Sequence, residues 1–395
     1  MTYIIIYRAI AQLPQASLHG VLNIFTMDFD QSLSNNANED PKNLLRLANL
    51  RDKESQLLTS KLKIFFVQTS ANADILSRHA CSIESAARLH PNGSIFVLMR
   101  SPYVHLQRGS FKHLRSFSNI HFLHFNETDV YSGTALIRLV QIKRKEFLHY
   151  FTISHMSDFL RTALLYKYGG IYFDLDVIPL KSFARFTNAV ALESKDAVNV
   201  AVLALEKQHL VLDLQMDIQL KSMEKHFHSF CWNCLGPLAL TEALKKVCDH
   251  EQLHIHRKDK CHQIDIHPSL TFYPIDYQEI HQFFARSSEN INYLLTNSSI
   301  YSIHYFHHMT MNMPIELLSP FAQIAHLYCP NVSRELIHSH ISEHSAKFRL
   351  INTNVYLICL FLTFVCIFLM ILLTQIFVHI RTMRMRRSTQ LRKIP

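Results

Sequence analysis

Glycine is scarce in this chain, with only 7 glycines among 395 residues. Two of the seven, Gly169 and Gly170, are adjacent. Glycine is favoured where the backbone adopts a conformation that other residues avoid, so an adjacent pair in a glycine-poor sequence indicates a local backbone requirement. The pair lies within residues 157–176, SDFLRTALLYKYGGIYFDLD, where polar side chains stand among apolar ones.

Acidic residues are absent from residues 354–395, which hold six basic residues, and this absence accounts for most of the net charge of +9. The rest of the chain carries a net charge of only +3. A nucleic-acid-binding domain concentrates basic residues on its folded body. The charge distribution therefore excludes nucleic acid as a main partner.

Charged residues of either sign are missing between Val355 and Val378. A run of this length can cross a bilayer, and the basic residues after it predict a cytosolic end. We therefore predict a transmembrane helix over residues 354–380, a basic cytosolic tail over residues 381–395 and a lumenal body. Near the other end, MTYIIIY is too short to span a membrane, and residues 1–60 are predicted to form an N-terminal segment and stem.

Six of the eight cysteines precede residue 330: Cys81, Cys231, Cys234, Cys248, Cys261 and Cys329. An even number favours disulfides, although the C-x2-C spacing of Cys231 and Cys234 also allows a zinc site. Four glycosylation sequons point to an oxidising, glycosylating compartment, at Asn92, Asn126, Asn297 and Asn331. We therefore expect disulfides, whose connectivity the spacing does not determine.

Strand and helix patterns alternate from Lys63 onward. The segments KIFFVQTS, SIFVLM and NIHFLHF are typical of buried strands, and helices are predicted over SIESAARLHP and near residues 135–150 and 157–168. Further strands are predicted in AVALES, NVAVLAL and YSIHYFHH, with a helix near residues 208–226 and another opened by the Gly236–Pro237 pair. This alternation predicts an α/β domain with a mixed, mainly parallel sheet.

The helix within the glycine-containing stretch is predicted to begin at Ser157, as its N-cap, and to end before Gly169. Asp158 then lies in the first turn, where the helix dipole favours a carboxylate. Asp158 and Arg161 share a helix face because they are three residues apart. The spacing allows either an ordinary surface ion pair or a functional pair.

The next segment, IYFDLDVIPL, has the alternation of a strand. In a strand, Asp174 and Asp176 would share one face, about 7 Å apart. Two carboxylates this close are costly in an apolar strand unless a cation neutralises them, and oxygen ligands suit Mg²⁺ or Mn²⁺. In open α/β sheets ligands bind at the carboxyl ends of strands, where these aspartates lie. A D-x-D also occurs in surface turns and in haloacid dehalogenase-type phosphatases.

The whole stretch resembles the DXD glycosyltransferases of family 32, whose signature runs S-D-x-x-R, an apolar helix, Y-G-G-I-Y and D-x-D. Other segments are similar to the α1,4-glycosyltransferase branch: VQTSANADILSRHACSIESAARLHP, SGTAL, NVAVLALEKQH, WNCLGP and FYPI. The resemblance extends over residues 61–335. It implies a GT-A-like, single Rossmann-type catalytic domain over residues 61–345.

Two features depart from the family pattern. The family has H-x-W near its end, whereas here His304 is followed by Tyr305 and Phe306. Family members are typically anchored by an N-terminal helix, whereas the apolar run of this chain is C-terminal. The first departure concerns the wall of the acceptor or donor site, and the second concerns membrane topology.

The resemblance implies a metal site. Asp174 and Asp176 would be the catalytic carboxylates that hold Mn²⁺ and the attached nucleotide, with His304 as a further ligand. A divalent cation there would neutralise the diphosphate as the sugar leaves. His307 and His308 are further candidates, and any of the 26 histidines can equally be structural.

The resemblance also implies a donor site. Asp158 and Arg161 would contact the donor sugar, since a carboxylate accepts hydroxyls and a guanidinium orients oxygens. Thr69 and Gly170 are candidates for binding the sugar nucleotide, although Thr69 can also be a simple strand cap. Trp232, the single tryptophan, can either stack on a sugar ring or anchor the core.

These residues predict a membrane-bound, Mn²⁺-dependent hexosyltransferase of the Golgi with a lumenal catalytic domain. It would transfer galactose or an N-acetylhexosamine from a UDP-sugar to a glycolipid or glycan, in α1,4 linkage with retention, as in glycosphingolipid biosynthesis. The sequence requires no carboxylate nucleophile, so the departing phosphate can take the acceptor proton. The alternatives are an inactive, transferase-like membrane lectin and a DXD phosphatase.

Overall fold

The computed structural model describes residues 43–107, 110–141, 152–224, 231–248, 253, 255, 261–286 and 289–336. The chain divides into one unit at Met1–Ile337 and another at His338–Pro395, and all described residues belong to the first. The predicted transmembrane helix and basic tail lie outside the described residues. Within the described ranges, no helix is long and apolar enough to cross a membrane.

A nine-stranded mixed sheet forms the centre of the described unit. In order across the sheet, its strands are β10 (Ala197–Val198), β9 (Ala189–Ser194), β11 (Val202–Leu205), β7 (Gly170–Phe173), β3 (Lys63–Gln68), β4 (Ser94–Met99), β6 (Ile120–His124) and β2 (Ala48–Asn49), with β12 (Asp265–His267) beside β9. The strands from β7 to β2 are parallel, as are β9 and β12, whereas β11 and β10 pair antiparallel with their neighbours. The predicted mixed, mainly parallel sheet is confirmed.

Two small antiparallel sheets flank the central one. Strand β1 (Leu44–Arg46) pairs with β5 (Tyr103–His105), and β8 (Val177–Pro179) pairs with β13 (Ser302–His304). The second pairing joins a strand from the middle of the chain to one near the end of the described unit. It places the residues that flank β8 beside those that end β13.

Helices cover both faces of the central sheet. They are α1 (Glu54–Thr59), α2 (Ser77–Leu89), α3 (Phe111–Leu114), α4 (Glu127–Tyr131), α5 (Thr152–Tyr168), α6 (Leu210–Glu224), α7 (Pro237–Val247), α8 (Ser269–Phe272), α9 (His281–Phe284), α10 (Glu289–Thr296), α11 (His307–Thr310) and α12 (Pro320–Tyr328), with 3₁₀ turns at Arg51–Lys53 and Ala135–Val140. Helix α7 begins at the Gly236–Pro237 pair, as predicted. The described part of the helix predicted near residues 135–150 is the second 3₁₀ turn.

The core has two layers because β3 is buried on both faces. Ile64 and Phe66 pack with α2 and α12 on one side, whereas Phe65 and Val67 pack with α5, α6 and α7 on the other. Strands buried on both faces are nearly continuous apolar runs, which explains the four apolar residues IFFV within β3. The sheet is thereby held in the middle of three layers.

Helix α5 ends where predicted but begins earlier. The helix starts at Thr152, so Ser157 lies inside it and the predicted N-cap is wrong. The Ser157 hydroxyl bonds the Tyr172 hydroxyl at 2.9 Å and accepts from Arg161, so it serves tertiary contacts and caps nothing. At the other end, the Gly169 amide donates to Leu165 O at 2.8 Å with φ of +60°, which confirms the helix stop.

The adjacent glycines satisfy a backbone requirement, as predicted. A Cβ at Gly169 would lie 2.6 Å from Lys207 N, and one at Gly170 would lie 2.6 Å from Lys63 O. Gly170 also has φ of +118°, a region that other residues rarely adopt. The two glycines therefore allow the chain to turn directly from the end of α5 into β7.

The segment IYFDLDVIPL is two strands and a turn, so the prediction of one strand is wrong. Strand β7 ends at Phe173 in the central sheet, and β8 begins at Val177 in a different sheet. Between them, the Val177 amide donates to Asp174 O at 3.0 Å, which closes a turn. The two aspartates therefore lie in a turn at the carboxyl end of β7, where the backbone change of direction brings their side chains together.

The six cysteines before residue 330 form three disulfides, as predicted in preference to a zinc site. The pairs are Cys81–Cys329, Cys231–Cys234 and Cys248–Cys261. The first joins α2 to the residue after α12 and closes a loop of 248 residues. The second closes a four-residue loop that leads into α7.

Candidate active site

Three potential metal ligands converge beside β8. One ligand atom each from Asp174, Asp176 and His304 lies within 4.8 Å of the others. Asp174 and Asp176 occupy the turn before β8, and His304 ends β13, where it is paired with Val177. The β8–β13 pairing therefore brings together an aspartate and a histidine that are far apart in the sequence.

Asp176 is fixed by hydrogen bonds that favour its ionised form. Its Oδ2 accepts from the His307 amide at 2.7 Å and lies 3.2 Å from His304 Nε2. Burial alone would raise its pKa, but the His304 imidazole and the His307 amide outweigh burial and hold the pKa of Asp176 below its usual range. Burial would likewise lower the pKa of His304, yet Asp176 raises it. The Asp176 carboxylate and the His304 imidazole are therefore held in direct contact.

Asp174 is held by a guanidinium and a phenol. Arg161 Nη2 lies 3.1 Å from Asp174 Oδ1, and Nη1 donates to Oδ2 at 3.2 Å, which is a bidentate pairing. The Tyr172 hydroxyl donates to Oδ1 at 2.7 Å. Burial raises the pKa of Asp174, and Arg161 opposes that shift. The carboxylate orientation is thus set before any ligand binds.

Arg161 makes its contacts inside the protein. Its Nη1 also donates to Val200 O at 2.8 Å, its Nε donates to Ser157 O at 3.2 Å, and its guanidinium lies 4.8 Å from the centre of the Tyr172 ring. All three nitrogens therefore have protein partners. This arrangement makes Arg161 a positioning residue for Asp174, while its predicted contact with the donor sugar stays a prediction.

Asp158 and Arg161 share a helix face, but they are not a surface pair. Asp158 Oδ1 lies 3.4 Å from Arg161 Nη2, and each residue is only 4% exposed. Burial raises the pKa of Asp158 to about 7, although Arg161 opposes the shift. A Cβ at Gly236 would lie 2.4 Å from Asp158 Oδ1, so the backbone before α7 packs directly on this carboxylate.

The other predicted nucleotide contacts lie at different positions. Thr69 follows β3, and its hydroxyl donates to Ile153 O at 3.0 Å, which ties the strand end to α5. Gly170 begins β7, so the length of the strand, about 13 Å, separates it from Asp174. Gly170 therefore does not lie beside the two aspartates. The close approach of its backbone to Lys63 O explains why glycine occupies this position.

Of the remaining predicted histidines, His307 lies at the site and His308 is exposed. The His307 ring centre lies 4.6 Å from that of His79, which comes from α2. Burial lowers the pKa of His79 to about 3 and also lowers that of His307. Both imidazoles are therefore neutral next to Asp176, and their Nδ1 atoms have no hydrogen-bond partner among the described residues.

Three residues of the site were not predicted. Tyr172 lies two residues before Asp174, so strand alternation already places both side chains on one face, and this signal was available. Glu193, at the end of β9, interacts electrostatically with His304, and burial raises its pKa. Neither Glu193 nor His79 had a sequence signal, because strand order and helix packing bring them to the site.

Trp232 is not a core anchor. It lies in the loop closed by Cys231–Cys234 and is 46% exposed. Phe306 occupies the position of the tryptophan in the family's H-x-W pattern. It is buried, and its ring centre lies 4.0 Å from that of His304. The aromatic residue that replaces the family tryptophan therefore covers the metal-site histidine.

The three converging residues fit a divalent cation. Two carboxylates and an imidazole form a donor set that can hold a divalent cation. The buried His304 has an Nδ1 atom without a hydrogen-bond partner within the described ranges, so one ring nitrogen is unused by the protein itself. The candidate ligand atoms already lie within 4.8 Å of one another before any cation is bound.

The sequence matches two family models that together cover the site. Residues 77–196 match the "Glycosyltransferase sugar-binding region containing DXD motif", and residues 205–336 match the "Alpha 1,4-glycosyltransferase conserved region". The chain thus contains the two conserved sequence regions of a DXD-containing glycosyltransferase.

Curated relatives agree with these models. Lactosylceramide 4-alpha-galactosyltransferase of Mus musculus is 30% identical over 280 residues, which cover 69% of this chain and 76% of the relative. The Homo sapiens protein of the same name is 31% identical over 281 residues, covering 68% and 75%. Alpha-1,4-N-acetylglucosaminyltransferase of Homo sapiens is 26% identical over 296 residues, covering 71% and 82%. The chain belongs to the α1,4-glycosyltransferase family and is a hexosyltransferase.

Solved structures give a weaker resemblance. PaToxG Glycosyltransferase aligns with a TM-score of 0.35 at 16% identity, covering 50% of this chain and 75% of that one. An active-site mutant of LgtC aligns with a TM-score of 0.31 at 13% identity, covering 62% and 87%. At these scores no residue role is carried over from either structure.

Proposed function

We propose that this protein transfers galactose or an N-acetylhexosamine from a UDP-sugar to a glycolipid or glycan, in α1,4 linkage with retention, in a reaction that requires Mn²⁺. The observation that carries the proposal is the convergence of Asp174, Asp176 and His304 within 4.8 Å. A glycosyltransferase that releases a nucleoside diphosphate must stabilise the charge that develops on the leaving group. These three residues would hold the cation that supplies that stabilisation as a Lewis acid.

The surrounding residues fix the geometry of this site. Arg161 and Tyr172 hold the Asp174 carboxylate, and the His307 amide holds that of Asp176. Ligands held in place before binding lose little conformational freedom when the donor arrives. The neutral imidazoles of His79 and His307 can donate hydrogen bonds to an anionic group next to Asp176.

Asp158 is the group proposed to accept hydroxyls of the donor sugar. It lies beside Arg161 and therefore on the same side of α5 as the residue that orients Asp174. We propose retention without a covalent enzyme intermediate, because Asp158, Asp174 and Asp176 are already assigned to the donor sugar and the cation. The departing phosphate would then take the proton of the acceptor hydroxyl.

The relatives support two donor sugars, since one name specifies galactose and another N-acetylglucosamine. Lactosylceramide in the name of the first relative supports a glycolipid acceptor, and we propose a Golgi membrane location with the catalytic domain in the lumen. The three disulfides support an oxidising compartment. The GT-A-like assignment of the fold belongs to the same proposal and is supported by the mixed sheet.

Release of UDP from UDP-galactose and from UDP-N-acetylglucosamine, with and without a lactose-ended acceptor, tests the proposal. We expect turnover of one donor that is lost with EDTA and restored by Mn²⁺. Asp176→Asn should lower kcat by about 100-fold or more, because a ligand and its hydrogen bonds are lost. Asp213→Asn, at an exposed position of α6, is the matched control and should retain full activity.

Equal turnover by the wild type and Asp176→Asn would contradict the metal site. Glycan binding without turnover of either donor would favour a transferase-like lectin. Hydrolysis of an aryl phosphate that depends on Asp174 would favour a phosphatase.

A further inference from the structure

The single tryptophan of the chain lies at the surface. Trp232 is 46% exposed, whereas large aromatic side chains such as Phe65, Phe96 and Phe159 are fully buried in this protein. A tryptophan left in water forgoes the stabilisation that burying its large apolar area would give. A ligand that covers the indole would gain that stabilisation on binding.

The loop that carries Trp232 is held by contacts on both sides. The Cys231–Cys234 disulfide closes it, and Cys231 O lies 3.1 Å from His155 Nε2 of α5. On the other side, Leu235 O accepts from the buried Gln219 Nε2 at 2.7 Å. These contacts order the loop when the protein folds, so little further conformational entropy is lost when a ligand binds.

The same loop is continuous with the candidate active site. Gly236, the residue after Leu235, packs its backbone on the Asp158 carboxylate. His155, which contacts the loop, lies three residues before Asp158 on the same helix and shares its face. The exposed indole is therefore attached to the backbone that lines the proposed donor-sugar position.

We propose that Trp232 is the stacking platform for the terminal sugar ring of the acceptor. This inference rests on the proposed transferase function. A hexopyranose has one face of C–H groups and a rim of hydroxyls, so an exposed aromatic face with polar neighbours matches it. Trp232 fits this description because Asn233 and the His155–Cys231 contact lie beside it.

The acceptor is the occupant that the position favours over the donor. The proposed donor ligands, Asp158, Asp174, Asp176 and His304, are all at least half buried, whereas Trp232 faces solvent. A transferase receives its acceptor from solvent or the membrane surface and must place it against the donor sugar. Trp232 is exposed and lies four residues before Gly236, whose backbone packs on the Asp158 carboxylate.

Steady-state kinetics with the full chain test this role. Trp232→Ala should raise the acceptor KM about three- to tenfold, the range expected for loss of one aromatic stacking contact, and should leave the donor KM in the hydrolysis reaction unchanged. Trp232→Phe should restore most of the acceptor affinity. Tyr293→Ala removes another exposed aromatic residue, 52% exposed on α10, and should change neither constant.

Intrinsic fluorescence gives a direct readout, because Trp232 is the only tryptophan. Adding methyl β-lactoside or methyl N-acetyl-β-glucosaminide, whichever the enzyme accepts, should shift the emission to shorter wavelength and protect it from acrylamide. UDP alone should leave the emission unchanged. Trp232→Ala should show no such signal.

The outcomes of these experiments distinguish a wrong acceptor platform from a wrong transferase function. If UDP-sugar turnover is normal but saturating acceptor leaves the emission unchanged and Trp232→Ala keeps the wild-type acceptor KM, the acceptor platform is wrong and the transferase stands. If neither donor is turned over, the proposed function is wrong. If sugar-free lipid vesicles shift the emission and the methyl glycosides do not, Trp232 contacts the membrane and the acceptor platform is overturned.

Discussion

Asp158 is a buried carboxyl group whose pKa lies far from its ordinary value. Burial raises the pKa from 3.8 to about 7, and Arg161 offsets only part of that rise. The folded protein therefore binds a proton more tightly than the unfolded chain between these two values. The free energy of unfolding should fall as pH rises through this window, because the folded state must hold a charge that the unfolded chain solvates.

Asp158→Asn should accordingly stabilise the protein at pH 8 and have little effect at pH 4. Each pKa unit corresponds to roughly 1.4 kcal/mol, so the gain at pH 8 is bounded at about 4 kcal/mol. Thermal unfolding at both pH values measures it. The same variant should lose donor turnover if Asp158 accepts sugar hydroxyls.

The exposed Asp213→Asn variant is the control and should show no pH-dependent gain. An equal change in Tm for Asp158→Asn at pH 4 and pH 8 would show that the Asp158 carboxyl does not titrate as described.

The backbone of the loop before α7 lies against the Asp158 carboxylate and so restricts where that side chain can lie. A Cβ at Gly236 would lie 2.4 Å from Asp158 Oδ1, closer than two such atoms can approach. Gly236→Ala should therefore displace Asp158 or the loop and reduce transfer by about tenfold or more, since small displacements of positioning groups are costly in catalysis.

Gly133→Ala is a matched control for the loop variant. Gly133 has φ of +75°, so alanine there is strained, but no atom lies within 4 Å of the added Cβ. We expect Gly133→Ala to lower Tm and to keep kcat, whereas Gly236→Ala should lower kcat. Equal kcat values for the two variants would contradict a positioning role for the Gly236 backbone.

Much of the fold could be predicted from short-range sequence patterns. Runs rich in apolar residues indicated β3, β4 and β6, and the adjacent glycines marked the end of α5, because both signals arise within a few residues. The adjacency of Asp158 and Arg161 followed from helix spacing alone. Helix α5 nevertheless starts before Ser157, because tertiary contacts with Tyr172 use the hydroxyl that local pattern assigned to a cap.

Contacts that depend on strand order could not be predicted in this way. The bidentate pairing of Arg161 with Asp174 requires α5 to lie along β7, and the approach of His304 requires β13 to pair with β8. The break between β7 and β8 is also invisible in the alternation of IYFDLDVIPL, because both halves continue the same period. The resemblance to a family supplied His304, which spacing alone did not.

At the scale of the whole molecule, the proposed lumenal location makes a prediction about the sequons of the described unit. Asn126 is exposed and caps α4 through its Oδ1, which accepts from the Thr128 amide at 2.9 Å. A glycan would bond the other side-chain atom, Nδ2, so the cap and the glycan are compatible. The described unit can thus be glycosylated at this position without losing a helix cap.

Endoglycosidase treatment of the protein expressed in cells should therefore increase its gel mobility. Thr128→Ala removes the Asn126 sequon but keeps the capping asparagine. It should reduce the endoglycosidase-dependent mobility shift by the amount of one glycan without lowering Tm appreciably. Expression without any endoglycosidase-sensitive species would contradict the lumenal location.

The pairing of β8 with β13 divides the metal site between the two matched regions of the chain. Asp174 and Asp176 lie in the region matched by the DXD model, whereas His304 lies in the region matched by the α1,4-glycosyltransferase model. A truncated product that ends before β13 would keep the whole DXD signature and yet lack a third of its ligand set. If the three residues hold a cation as proposed, the complete ligand set forms only after β13 has been synthesised and has paired with β8.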